Sequence, residues 1–331
     1  MIFAKIRNYS YLLEKDCSVV ITGDSLAYNR YDFVDEPRMN AWECPLGMRS
    51  WSFLLRDHLI RNARGFIPAA SLDISGNFKR VPYNEDLPFQ GEGIAIKANE
   101  TTDILIKGCP EFIYFITNPS KAALFHSNAV EINLKGKSDY FEGNSIEIIH
   151  SKDGLLENVR NESEMTIIGA AETRVEVNLT GSGSKTAEWM LKNYEDRIGR
   201  FKPDICLMII GANNRRMKDP KSFKAALKSI IERLKEAGCE MVILSPPHSS
   251  TTDPPEDPEN IFLPDPMITK PILDAIQEMV DEFSLTYMNL FEFFNGFPGK
   301  IWRFDNTHFT KEGNLMLFNS LKGALFERRE V

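Results

Sequence analysis

Metal-ligand spacings, basic runs and long apolar stretches are all scarce in this sequence. Its five Cys residues, Cys17, Cys44, Cys109, Cys206 and Cys239, stand far apart, with none of the CxxC or Cys/His spacings that hold structural zinc. No metal and no cofactor is assigned on this pattern. The odd count suits a reducing compartment, where a free thiol in an apolar run, such as Cys17 or Cys206, behaves as a small hydrophobe. Lys and Arg number 39 against 47 Asp and Glu, a net charge of −8, and nucleic acid is therefore not an expected partner. No stretch approaches the ~20 apolar residues of a transmembrane helix, and residues 1–16 lack the apolar core of a signal peptide. The expectation is a cytoplasmic chain without a membrane span.

What the sequence does have is apolar material: 43% of 331 residues are hydrophobic, enough for one large core or two smaller ones, and two are expected. Residues 17–30, CSVVITGDSLAYNR, run from an apolar, partly β-branched segment into Gly23-Asp24-Ser25. That pattern predicts a buried strand ending in a loop that carries a hydroxyl. Ser25 thus falls just past the carboxyl end of a strand, where α/β enzymes place their chemistry. Apolar residues at 51, 54, 55 and 59 then fall at helical spacing.

Between 66 and 173 the character changes. Short β-rich runs at 93–96, 103–106, 112–117, 130–134, 145–149 and 165–168 are punctuated by Lys107-Gly108, Asn118-Pro119 and Glu142-Gly143-Asn144, which predicts an all-β sandwich of ordinary size. From 174 strands and helices alternate, with helices predicted at 187–198, 222–237, 271–283 and 312–326, and this argues a parallel sheet. Asp219-Pro220 supplies a cap and first-turn proline for one helix, and Gly238 its stop. The organisation expected is a discontinuous α/β domain, 1–65 and 174–331, interrupted by a β domain at 66–173.

Only one of the five His residues has an acid at a spacing that could orient it locally: Asp305 precedes His308 by three. A carboxylate at one imidazole nitrogen fixes the tautomer and leaves the other nitrogen to act as a base. The loops after 179 and 210 offer Gly183, whose backbone N–H can be approached closely, and the Asn213 side-chain amide. Both donor types serve an oxyanion.

These residues resemble a family. Ile21-Thr-Gly-Asp-Ser-Leu26, Asn178-Leu-Thr-Gly-Ser-Gly183, Gly211-Ala-Asn213-Asn214 and Asp305-x-x-His308 are similar to the four sequence blocks of the SGNH/GDSL hydrolases, in the family's order, over 17–61 and 174–327. The resemblance implies a three-layer α/β/α, flavodoxin-like fold with Ser25 as nucleophile, His308 as base and Asp305 as its orienting acid. It implies an oxyanion hole made of Ser25 N–H, Gly183 N–H and the Asn213 side chain. Two departures stand out: Asn214 occupies a place where the family usually has Asp, and Gly181 is a second glycine available in the second block. The β insertion resembles, in position and character, the module inserted in SGNH-type peptidoglycan O-acetylesterases.

Such a site admits acyl transfer to water or to a sugar hydroxyl. Trp42, Trp51, Tyr28, Tyr31 and Trp302 fall in or near the loops expected to rim it, and aromatic rings suit sugars. The expected substrate is an O-acetylated glycan or an acylated small molecule, and the expected reaction is removal of O-acetyl groups from a carbohydrate. Glycan O-acetyl transfer and small-acyl esterase or thioesterase action are the alternatives. A non-catalytic glycan-binding protein with a vestigial triad is the rival from another class.

Overall fold

The computed structural model describes residues 2–28, 50–82, 92–96, 102–108, 110–117, 123–127, 130–134, 145–151, 153–161, 165–217, 219–247, 266–295, 297, 299–302 and 308–327. Asp305, Tyr31, Trp42, Cys44, Cys109 and the side chain of Tyr28 lie outside them.

The strand Cys17–Gly23 lies between Val175–Leu179 and Ile205–Ile209, parallel to both, and Glu240–Leu244 and Thr286–Met288 continue the sheet in the same direction. Counted in chain order these five strands run 2-1-3-4-5, the flavodoxin-like arrangement. The sequence predicted a parallel sheet; the sheet is mixed, because Phe3–Ala4 pairs antiparallel with Thr286–Met288 at its edge. A strand of two residues is too short to show an alternation.

The parallel strands are apolar on both faces, as helices packed on each side require. Val19, Ile21, Ile205, Leu207, Ile209, Val242 and Leu244 enter one core, and their neighbours Val20, Cys206, Met208, Ile210, Met241 and Ile243 enter the other. The first core is closed by the helices Trp51–Arg61 and Lys311–Leu321, the second by Ala187–Lys192, Pro220–Glu236 and Pro266–Phe283. The result is the expected three-layer α/β/α body. Asp219 caps its helix by accepting Ser222 N–H at 3.0 Å, with Pro220 in the first turn. The helix predicted at 187–198 is broken at Asn193, whose amide donates to Trp189 O at 2.8 Å and ends the first piece. The helix predicted from 271 begins earlier, at Pro266.

Between the first and second strands of this body, the chain forms two antiparallel sheets. One joins Val130–Leu134, Ala123–Ser127, Leu155–Asn161, Thr102–Lys107 and Asp73–Gly76; the other joins Ser145–His150, Phe112–Thr117, Met165–Ala171, Glu92–Ile96 and Lys79–Pro82, with Ile67–Pro68 also pairing to Met165–Ala171. Ile104, Ile106, Leu156 and Val159 of the first meet Ile94, Ile113, Phe115 and Ile167 of the second in one core. The outer face of the second sheet is also buried: Phe112, Tyr114, Ile168 and Ala171 belong to the α/β core. Tyr114 OH donates to Thr173 O and accepts from Val175 N–H, each at 2.9 Å. Among the described residues no helix is long and apolar enough to cross a membrane.

Candidate active site

Three loops leave the carboxyl ends of adjacent strands, and backbone hydrogen bonds hold them together. Gly23 has φ +139, and a Cβ placed on it would lie 1.8 Å from Ile209 O. Only glycine lets the strand approach its neighbour so closely before the turn. Asp24 N–H then donates to Ile209 O at 3.2 Å, and Ser182 N–H donates to Gly23 O at 3.0 Å. Ser25 opens the short helix Ser25–Tyr28. Its Oγ lies 2.9 Å from His308 Nε2, a contact between residues 283 positions apart.

Asp24, beside Ser25, is fully buried. Its Oδ1 accepts Leu26 N–H at 3.0 Å, while Oδ2 has no hydrogen-bond partner among the described residues. Burial pushes this carboxyl up to about 6, against the opposing pull of the Leu26 N–H, Arg215, His308 and the Ala212 N–H.

The backbone that follows His308 is tied to the same turn. Asn314, completely buried, accepts Trp51 N–H at 3.0 Å and donates to Thr310 O at 2.8 Å. Trp51 Nε1 donates to Leu26 O at 2.8 Å, and Ser52 Oγ to Ala27 O at 3.0 Å. A chain of hydrogen bonds therefore runs from the Ser25 turn through the start of the Trp51–Arg61 helix to the His308 loop.

The other predicted residues assemble at the same strand ends. Gly183 is exposed, and a Cβ built on it would meet nothing within 4 Å, so open space adjoins its backbone. Asn213 Nδ2 donates to Lys185 O at 3.0 Å, which uses one of its two N–H groups. The predicted aromatic rim is corrected in two places. Trp51 supports the Ser25 turn from within the core, and Trp302 is buried and stacked on Phe294 with centroids 4.4 Å apart. Asp24, Glu188 and Asn314 were given no role from the sequence, because their partners are brought near only by the fold.

A hydroxyl at a strand end, hydrogen-bonded to an imidazole, is an arrangement from which an activated serine can attack an ester. Residues 165–315 match the model of the GDSL-like Lipase/Acylhydrolase family. That segment is similar to the GDSL-type acylhydrolases, and the protein is a carboxylic ester hydrolase. Among solved structures, it is similar to a peptidoglycan O-acetylesterase at 10% identity, over 93% of this chain and 90% of that one, with a TM-score of 0.51. An acetylxylan esterase of Geobacillus stearothermophilus is similar at 15% identity, over 48% of this chain and 77% of that one, with a TM-score of 0.39. No curated protein matches the chain by sequence.

Proposed function

We propose that this hydrolase removes O-acetyl groups from a carbohydrate through an acyl-enzyme on Ser25. In this reading Ser25 Oγ attacks the acetyl carbonyl as its proton passes to His308 Nε2. The tetrahedral oxyanion is met by Ser25 N–H, Gly183 N–H and the free N–H of Asn213. Collapse expels the sugar oxygen, which takes the proton from His308. Water, deprotonated by the same nitrogen, then releases acetate and regenerates Ser25. Asp305 is assigned to the Nδ1 side of the ring. The observation that carries the reading is the 2.9 Å contact between Ser25 Oγ and His308 Nε2, because no local structure can bring residues so far apart in sequence to that distance.

The segment 66–173 is assigned as a β-sandwich domain inserted in the hydrolase domain, 1–65 and 174–331, and as a second surface for the glycan. Its own core, centred on Ile104, Phe115 and Leu156, and a fold shared along most of the chain with a peptidoglycan O-acetylesterase support this. The test is acetate release from O-acetylated xylan and O-acetylated peptidoglycan, alongside turnover of p-nitrophenyl acetate and longer acyl esters. Acetate release that Ser25→Ala abolishes is expected. Preference for long acyl chains, or transfer of acetyl to a sugar without net acetate release, would overturn it.

A further inference from the structure

Asn213 and Asn214 are adjacent, yet their amides do different work. Asn214 is 1% exposed and uses both ends: Oδ1 accepts Ala187 N–H at 3.0 Å, and Nδ2 donates to Glu188 Oε2 at 2.8 Å. With the Asn213 bond to Lys185 O, three hydrogen bonds join the Asn213-Asn214 segment to the end of the loop that carries Gly183 and the first turn of the helix that follows it. The Ala187 N–H must face an acceptor, so the atom facing Glu188 must be a donor. An amide of this length meets both demands, whereas a carboxylate would set two negative groups 2.8 Å apart. Burial pushes the Glu188 carboxyl up, but its own N–H and the side chains of Asn214, Thr186 and Ser222 outweigh this and hold it below its ordinary value. Among the described residues, charged groups on the elements meeting here include Lys185 and Arg197, whose cations lie over the Trp189 ring, Arg215, which donates to Pro247 O, and Asp219 at its helix cap. They also include Lys192 at the end of the Glu188 helix, and Lys221 and Lys224 in the helix that carries Ser222.

We propose that Glu188, acting through Asn214, is a positioning residue for the oxyanion hole: an accepting carboxylate in the helix turn after the Gly183 loop and a donating amide beside Asn213 fix the separation of Gly183 and Asn213. This rests on the reading of Asn213 as an oxyanion donor. It also gives a reason for amide rather than carboxylate at 214, since Glu188 already supplies the negative charge.

The test is kcat and KM on p-nitrophenyl acetate from pH 5 to 8 for the wild type, Asn213→Ala, Asn214→Asp and the double variant Asn214→Asp/Glu188→Gln, with thermal unfolding recorded for each. In Asn214→Asp the two carboxylates share one proton at acid pH and repel once it is lost. Its kcat relative to wild type should therefore fall at least tenfold across this range, with KM little changed. In the double variant the new amide donates to the new carboxylate, and the ratio should become flat. A ratio independent of pH in the single variant overturns the proposal. So does a double variant that is no better, whether inactive or unfolded. A wild type without turnover, or Asn213→Ala as fast as wild type, overturns the oxyanion reading and the proposal with it.

Discussion

Asp24 stands one residue before Ser25 with its carboxyl fully buried and pushed up to about 6 from an ordinary 3.8. A folded-state value above the unfolded one means that the folded protein binds more protons between roughly pH 4 and 6. Its contribution is therefore intact below about 4 and is lost as pH rises through 6. The cost at neutral pH is about 3 kcal/mol. Urea unfolding at pH 4, 5, 6 and 7 should show Asp24→Asn gaining on the wild type across that window, whereas a difference constant with pH would mean that the carboxyl is ionised throughout. Single-residue effects on turnover should separate in another way. Asn213→Ala should lower kcat by about 10²- to 10³-fold with little change in KM. Ser25→Ala and His308→Ala should each remove most activity, and the double variant should be no worse than either, because the pair acts as a unit. Additive losses would show that the two act independently. Ser25 and His308 were legible in the sequence because each had context: a strand end for one, an acid three residues away for the other. Glu188 and Asn314 had none, since their partners come from loops or helices that only the fold brings near.

At the scale of elements, the helix Trp51–Arg61 is the brace of the site, because its first turn binds the Ser25 turn through Trp51 Nε1 and the His308 loop through Asn314. Asn314→Leu fills a similar volume but leaves the buried Trp51 N–H unpartnered, a loss of about 1–3 kcal/mol. Denaturant unfolding should show that loss together with a fall in kcat. Lost stability at unchanged kcat would reduce the brace to a structural contact. The helix whose cap and stop were both read from the sequence, Pro220–Glu236, was placed to within two residues. Some strands were not. Leu155–Asn161 shifts register between Leu156 and Val159, which breaks the period of two on which a strand reading depends. Asp73–Gly76 and Lys79–Pro82 are edge strands containing Gly, Pro and charged residues, the composition that edges favour and that strand patterns penalise.

Across the whole molecule, the run Phe112–Thr117 joins two cores, with Ile113 and Phe115 facing the core between the antiparallel sheets and Phe112 and Tyr114 facing the α/β core. An uninterrupted apolar strand is the sequence sign of burial on both faces, so the coupling was present in the pattern. Tyr114→Phe keeps the packing but strands Val175 N–H and Thr173 O, and should cost about 1–3 kcal/mol. Fluorescence and circular dichroism should both report the change if the seam couples the two parts, and only one of them if it does not. The central strand Cys17–Gly23 is emerging from the ribosome when its two neighbours, Val175–Leu179 and Ile205–Ile209, are not yet made. At about 5–20 residues per second the delay is on the order of ten to forty seconds. By its end the antiparallel strands in between have everything they need to pair with one another, and the first apolar segment does not. The nascent chain therefore carries an unpaired Val19-Val20-Ile21 segment past two antiparallel sheets already able to form, and the Ser25 turn is made before the strands that organise it.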